Sequence, residues 1–296
     1  MTWEQGLKLI WKFNLVLTGM FLIGFVVAGY VSHGMLQANA REEVLEHARL
    51  MMEAALAART YTNTQVKPLL EAQLGSTFLP QSVPAYAATE QFNDIRKTHT
   101  GFAYKEATLN PTNPRDRATD WEADLIQIFR QAPDTPEVVG ERDTPSGRAL
   151  YLARPIQVKS AACLPCHSTP DAAPKSMIAL YGTANGFGWK LNEVIGAQVV
   201  SIPLPIPIAR ADATFRTFML ALAGIFAATM AMLNVMLHTI VIKRVTNLAA
   251  IADQMSLGNL DAGEFRSNSR DEIGTLTEAL GRMKTSMVQA LKMLEE

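Results

Sequence analysis

TFMLALAGIFAATMAMLNVMLHTIVI, residues 217–242, runs for 26 residues without an Asp, Glu, Lys or Arg, and Lys243 and Arg244 close it. At about 1.5 Å per residue it makes a helix of roughly 39 Å, enough to cross a ~30 Å hydrocarbon layer with some tilt. A second such run lies upstream: no charged side chain occurs from Phe13 to Tyr30, and the stretch stays uncharged to Ala40. Lys8 and Lys12 precede it, and basic flanks favour the cytoplasmic side of a membrane. The expected topology is two-pass, with transmembrane helices over 13–32 and 217–242. Residues 1–12 and 243–296 are then cytoplasmic, residues 33–213 lie outside, and membrane lipid is an expected partner. Ala38-Asn39-Ala40 matches a leader-cleavage pattern, but it lies well past the end of an apolar run longer than a usual signal core.

A length of 296 residues suits about two globular units. With 48% hydrophobic and 19% charged residues the chain is not disordered. A net charge of −1 leaves no whole-chain basic field, so no nucleic-acid partner is expected. Two cysteines exclude a disulfide framework and a four-cysteine zinc site.

The outer segment reads as one α+β unit. A helix is expected over about Met35–Val66, with apolar stripes Val44, Ala48, Met51, Ala55 and Leu45, Met52, Leu56 at helical spacing. Further helices are expected over Ala87–Lys97 and Trp121–Gln131. Strands are expected over Phe102–Leu109, Arg148–Val158 and Ile195–Ile202. Asn110-Pro111-Thr112-Asn113-Pro114 is a turn cluster.

Cys163-Leu164-Pro165-Cys166-His167 carries the chemistry. In a C-x-x-C-H run the two thiols add across the vinyl groups of haem, and the adjacent histidine lies under the iron as proximal ligand. Bacteria complete this attachment outside the cytoplasm, where hydropathy and lysines independently place the motif. The expected cofactor is covalent haem c, one per chain. A thioredoxin-like dithiol needs a long helix after the first cysteine, and Pro170 and Pro174 interrupt it. A zinc site needs ligands that the chain does not supply as cysteine, and a plain disulfide leaves His167 unexplained. The sixth iron position stays open among His47, His99, Met51, Met52 and Met177, or vacant for a small gas. Arg115, Arg117, Arg154 and Lys190 are candidate propionate partners. Asn234 and His238 lie four apart in the second span, on one face expected to turn inward.

Beyond the second span, Val245, Leu248, Ala252 and Met255 form one heptad seam, and Ile273, Leu276, Leu280, Met283, Met287, Ala290 and Leu294 another. Gly258-Asn259-Leu260 and Asp271-Glu272-Ile273-Gly274 lie between and at the start of the second. This segment, 243–296, resembles a HAMP domain, which implies a parallel four-helix bundle in a homodimer. The proline often found early in the first HAMP helix is absent, and Val245-Thr246 occupies that region.

The outer segment, from roughly Arg41 to Arg210, resembles the haem-c-binding, PAS-like periplasmic sensor family. Its first helix, Tyr104–Pro114, Leu152–Ile156, the Cys-Leu-Pro-Cys-His-Ser box and Gly186–Pro203 carry the likeness. The resemblance implies an α+β fold, a PAS-like antiparallel sheet with flanking helices, joined to two transmembrane helices and a C-terminal HAMP coiled coil. It assigns haem binding to Cys163, Cys166 and His167. Some relatives use a cysteine of the first helix as second axial ligand; this chain has no third cysteine, so that ligand does not carry over.

The expectation is a transmembrane signal-transduction protein of the bacterial inner (plasma) membrane, with its haem domain periplasmic. It senses redox state or a small gas and is not an enzyme. No kinase, cyclase or methyl-accepting pattern follows the second seam, so output is expected to pass to a cytoplasmic signalling partner such as a kinase, cyclase or receptor. The alternative is a membrane-anchored periplasmic electron-transfer cytochrome c, which leaves the HAMP-like segment without a role.

Overall fold

A computed structural model describes residues 9–74, 76–145, 147–259, 263–265 and 269–295, without the side chains of 291, 292, 294 and 295. Lys8, Leu260 and the side chain of Leu294 therefore lie outside the described residues. The chain divides into two units, residues 33–215 and residues 1–32 with 216–296.

The first unit is built on a four-stranded antiparallel sheet in the order β1-β4-β3-β2, from β1 (Ala103–Thr108), β2 (Val138–Thr144), β3 (Gly147–Gln157) and β4 (Val194–Pro203). The three expected strands are present. The fourth, β2, completes a hairpin with β3; its sequence, Val-Val-Gly-Glu-Arg-Asp-Thr, is charged and half exposed, as an edge strand's is.

Helices cover both faces. The helix α1 (Leu9–Tyr61) lays Val44, Ala48, Met52, Ala55 and Ala58 on one face, against Leu152, Val200 and Ile202. The buried stripe thus takes Met52 rather than Met51. Steps of 4, 4, 3 and 3 keep to one side of a 3.6-residue turn, and Met51 sits at the margin, partly buried. The helix α3 (Pro84–Thr98) adds Ala88 and Phe92 to this layer. On the other face α4 (Asp120–Gln131) packs Leu125, Ile126 and Phe129 against Ala153, Ala197 and Val199. Its start is fixed by a capping box between Thr119 and Glu122.

Two neighbours on β1 tie the layers together, because successive strand residues point to opposite faces. Glu106 turns to the α1 face and pairs with Arg59; Lys105 turns to the α4 face and meets Glu122 at 2.7 Å. Glu106 also accepts a hydrogen bond from the Tyr104 hydroxyl at 2.8 Å, and Gln198 donates to that hydroxyl at 2.8 Å. Burial and the adjacent Glu106 carboxylate push the Tyr104 phenol far above its ordinary pKa. Along the outer edge, Glu137 bridges Arg49 and Arg154, each at 3.2 Å, and Arg154 reaches Glu53 at 2.6 Å.

α1 ends in a π-turn, Thr62–Val66, before α2 (Lys67–Leu74). Pro68 accounts for the break: it lacks an N–H, and its ring crowds the carbonyl four residues back.

In the second unit the apolar residues of the two longest helices face outward. Among the described residues, two helices are long and apolar enough to cross a membrane, one running from Leu9 and one from Pro205. The first 31 residues of α1, Leu9–Asn39, bury none of their number, and Leu15, Val16, Ile23 and Val26 are all exposed. The helix α7 (Pro205–Met236) runs antiparallel to it: Phe21 stacks on Phe226 at 4.8 Å, and Asn14 and Asn234 exchange two amide hydrogen bonds of 2.8 Å.

A second π-turn, Leu237–Ile242, leads into α8 (Lys243–Ser256), and a connector joins it to α9 (Glu272–Glu295). Asp271 caps α9 by accepting the Gly274 N–H at 2.8 Å, and its carboxylate lies 3.3 Å from Arg244 at the start of α8. A Cβ at Gly274 would collide with the Ser269 carbonyl, so the close turn requires glycine. The paired helix starts, with Lys284 donating to the Gly263 carbonyl further along, set α8 and α9 parallel. Of the expected seams, Leu248 and Met255 are buried, whereas Leu276, Met283 and Met287 are 44%, 47% and 41% exposed.

Candidate functional site

The Cys-x-x-Cys-His run starts on a short 3-10 turn (Ala161–Cys163), opened by Ser160 accepting the Ala162 N–H at 3.2 Å. It continues as the one-turn helix α5 (Leu164–His167). Pro165 fits there because the first turn has no intrahelical use for its missing N–H. Cys163 and Cys166 stand three apart in helical backbone, which brings both thiols to one side. Both are free and half-buried. Burial pushes the Cys166 thiol up, against the field of Lys67, while Cys163 adds to the rise.

His167 is held by a loop twenty residues downstream. Its Nδ1 lies 2.8 Å from the Gly186 carbonyl, and its ring stacks on the Trp189 indole at 3.8 Å and 9°. The Trp189 N–H donates to the His167 carbonyl at 3.2 Å and the Gly188 N–H to the Ser168 carbonyl at 3.0 Å. Gly186 is buried at φ 84°, and a Cβ there would collide with Thr112 Oγ1. Burial holds the His167 imidazolium pKa below the ordinary value, although the Gly186 carbonyl works the other way. A carbonyl only accepts, so Nδ1 carries the proton in this contact, and Nε2 is the ring nitrogen left to hold a metal.

The end of α1 and α2 lie on the same side as this segment. Ser176, on α6 (Lys175–Tyr181), donates to the Leu74 carbonyl at 2.9 Å, and Tyr181 meets Phe78 edge-on at 5.8 Å. Two thiols, an imidazole with one nitrogen fixed and half-buried surroundings form a donor set that fits a covalently attached metal macrocycle.

The residues named as sixth-ligand candidates are dispersed. His47 is exposed on α1 and His99 is exposed, packing edge-on against Phe102 at 5.8 Å. Met52 is enclosed between α1 and the sheet, and Met51 lies at the border of the same cluster. Met177 is buried on α6, in the segment that follows the box. The cationic candidates are largely engaged: Arg115 with Glu90, Asp116 and the Tyr86 ring, Arg117 with Asn185, and Arg154 with Glu53 and Glu137. Lys190 is exposed.

Sequence reading missed Thr112 and the Gly186 carbonyl as supports of His167, since both arrive from distant segments. The Gly-Phe-Gly-Trp run at 186–189, with two glycines at positive φ, was the signal that could have located them. It also missed Arg59 and Glu106, which look like ordinary surface charges in the sequence.

A family model described as Tll0287-like matches residues 37–203. Among solved structures, the chain is similar to the crystal structure of the cyanobacterial heme-protein Tll0287. Identity is 18%, with 54% of this chain and 95% of that chain covered and a TM-score of 0.43. No curated protein matches.

Proposed function

The chain belongs to the Tll0287-like family, and from that premise we propose that it is a two-pass membrane sensor. It carries one covalent haem c on Cys163 and Cys166, with His167 as proximal iron ligand. The observation that carries the reading is the placement of His167: its Nδ1 lies 2.8 Å from the Gly186 carbonyl, and it stands beside two free thiols on one side of a helical turn. The family takes its name from Tll0287, a cyanobacterial heme-protein, and membership in it supports the same cofactor. When bound, the iron supplies a one-electron couple and a site for a small ligand.

The protein's own residues do the rest. Gly186 fixes the tautomer of His167 and raises its basicity as a ligand. The sheet with its two helix layers is the PAS-like frame, over 33–213. Helices over 13–32 and 217–242 cross the inner membrane and leave the haem domain periplasmic and both termini cytoplasmic. Residues 243–296 are the HAMP relay, in which the exposed Leu276, Met283 and Met287 meet their counterparts in a second copy. The output goes to a cytoplasmic signalling partner, and no catalytic step belongs to this chain. A change at a haem held by Cys163, Cys166 and His167 would reach the relay by differential stabilisation of two packings, for which about 1–3 kcal/mol suffices.

The test uses the full chain, produced in a periplasm competent for c-type maturation and kept in its membrane. A haem stain that survives denaturing electrophoresis is expected, with spectra that respond to dithionite and to carbon monoxide or nitric oxide. Absence of covalent haem overturns the reading. A covalent haem with fast, reversible electron exchange, no gas response and no change in α8–α9 cross-linking between redox states replaces the sensor by an electron-transfer cytochrome.

A further inference from the structure

We infer that Trp189 is a positioning residue for the proximal histidine, setting the orientation of the His167 ring about its bond to iron and lowering the reduction potential through the indole face. The inference rests on the haem reading above. A histidine ligand keeps two degrees of freedom after its nitrogen is chosen: the ring turns about the metal–nitrogen axis and tilts against the macrocycle. The Nδ1 contact to Gly186, at 2.8 Å, secures one edge of the ring. It leaves the ring free to rock about the line through that edge. A flat partner on the ring face removes that motion, and the Trp189 indole lies 3.8 Å away and within 9° of parallel.

The stack is built rather than incidental. Trp189 donates its own backbone N–H to the carbonyl of His167, the residue on which its side chain rests. One residue earlier, Gly188 makes a second rung to Ser168. Gly186 and Gly188 both sit at φ 84°, the left-handed region where glycine alone is at ease. A four-residue loop thus delivers a carbonyl to the edge of the imidazole and an aromatic plane to its face. Thr112 backs the loop where a Cβ at Gly186 would have to go.

An apolar side chain of similar bulk would fill the space equally well, so the plane itself has a consequence. The face of an indole is electron-rich. An imidazole bound to ferric iron carries more positive charge than one bound to ferrous iron. The stack therefore stabilises the oxidised state more, and Trp189 holds the potential down.

The test compares full-length wild type, Trp189→Leu and Trp189→Phe, each matured with covalent haem and assayed in detergent. Haem content, midpoint potential and the low-temperature EPR signature of the ferric iron are read. Trp189→Leu is expected to retain its haem, to show a raised potential and to broaden the EPR g-values. Trp189→Phe, whose ring is smaller but flat, is expected to restore the narrow g-values and most of the potential. A leucine variant with wild-type potential and g-values overturns the inference while leaving the haem reading intact. Wild type without covalent haem overturns both. If Trp189→Leu does not fold, Trp189→Met takes its place, with the same expected rise in potential and the same overturning result.

Discussion

In the Cys163–His167 turn, the groups that hold the imidazole all come from the same unit of the chain: a carbonyl from Gly186, a ring from Trp189 and, behind them, Thr112. In the α8–α9 pair the Asp271 cap and the Arg244–Asp271 pair are likewise internal to the chain. Its apolar seam is not: Leu276, Met283 and Met287 remain open. The first region is held by contacts from within one chain. On the proposed dimer, the second is half of an interface. Preorganised polar contacts need only one chain, because each donor finds a local acceptor. A heptad seam needs a second helix face, because apolar area leaves water only when another apolar surface covers it.

The proposed function makes the two regions separable, and the largest effects should show it. Replacing both Cys163 and Cys166 by serine should abolish haem that survives denaturation, while the oligomeric state measured by ultracentrifugation in detergent stays the same. The reciprocal change, Leu276→Glu with Met283→Glu, places four acidic groups in a shared seam. Dimer affinity should fall by about 100-fold or more, since each buried large apolar side chain contributes about 1.5–3 kcal/mol. The haem spectrum should not move. A dimer that survives this double change would show that the seam is not the interface.

A smaller effect tests how far the scaffold of the box is internal. Glu106→Gln leaves Arg59 beside a neutral partner at a site where the carboxylate is only 5% exposed. Breaking a buried ion pair costs about 3–5 kcal/mol, so thermal unfolding of the outer unit should begin roughly 10 °C earlier. Glu46→Gln, which removes an exposed partner of Arg49, should change stability by less than about 1 kcal/mol. Equal effects would mean that the Arg59 pair is not buried in the working protein.

An effect smaller than that of Glu106→Gln depends on pH. Burial pushes the Asp116 carboxyl up to about 6, although Arg115 opposes the rise. An unfolded Asp titrates near about 3.9, so the folded state holds this proton longer than the unfolded one. Stability is therefore fullest below about pH 4 and declines as pH rises towards 6, then levels. Asp116→Asn should match wild type at pH 4 and exceed it by about 1–2 kcal/mol at pH 7.5. The side chain's 19% exposure reduces the full linkage value. Chemical denaturation at the two pH values reads the difference, and an asparagine variant less stable at pH 7.5 would mean that the Arg115 contact outweighs burial.

The legible parts of the fold were those in which a local period controls the outcome. The helices α3 and α4 and the strands β1, β3 and β4 all follow apolar spacing within a dozen residues. β2 was missed because an edge strand, half exposed, does not need an alternating pattern. α6 was missed because Pro170 and Pro174 obscure a helix that begins immediately after them. In the site, the box itself was visible, since its chemistry fixes residue types at fixed spacing. Its supports were not, because Thr112, Gly186 and Trp189 are brought to His167 by the sheet and not by neighbouring sequence. Arg59 and Glu106 were hidden for a related reason: a charge looks solvated until a partner 47 positions away is placed opposite it.

The exchange of amides between Asn14 and Asn234 has a consequence for how the protein is made. The two residues are 220 positions apart. At about 5–20 residues per second, synthesis separates them by roughly ten to forty seconds. On the proposed topology the first span stays in the bilayer through that interval with the Asn14 amide lacking its partner on the second helix. Arrival of the second helix, in one register, provides both bonds between the helices at once. The pair thus selects the register of the hairpin: a closure one turn out of step forgoes both bonds and leaves Asn234 only its contact with the Met230 carbonyl of its own helix.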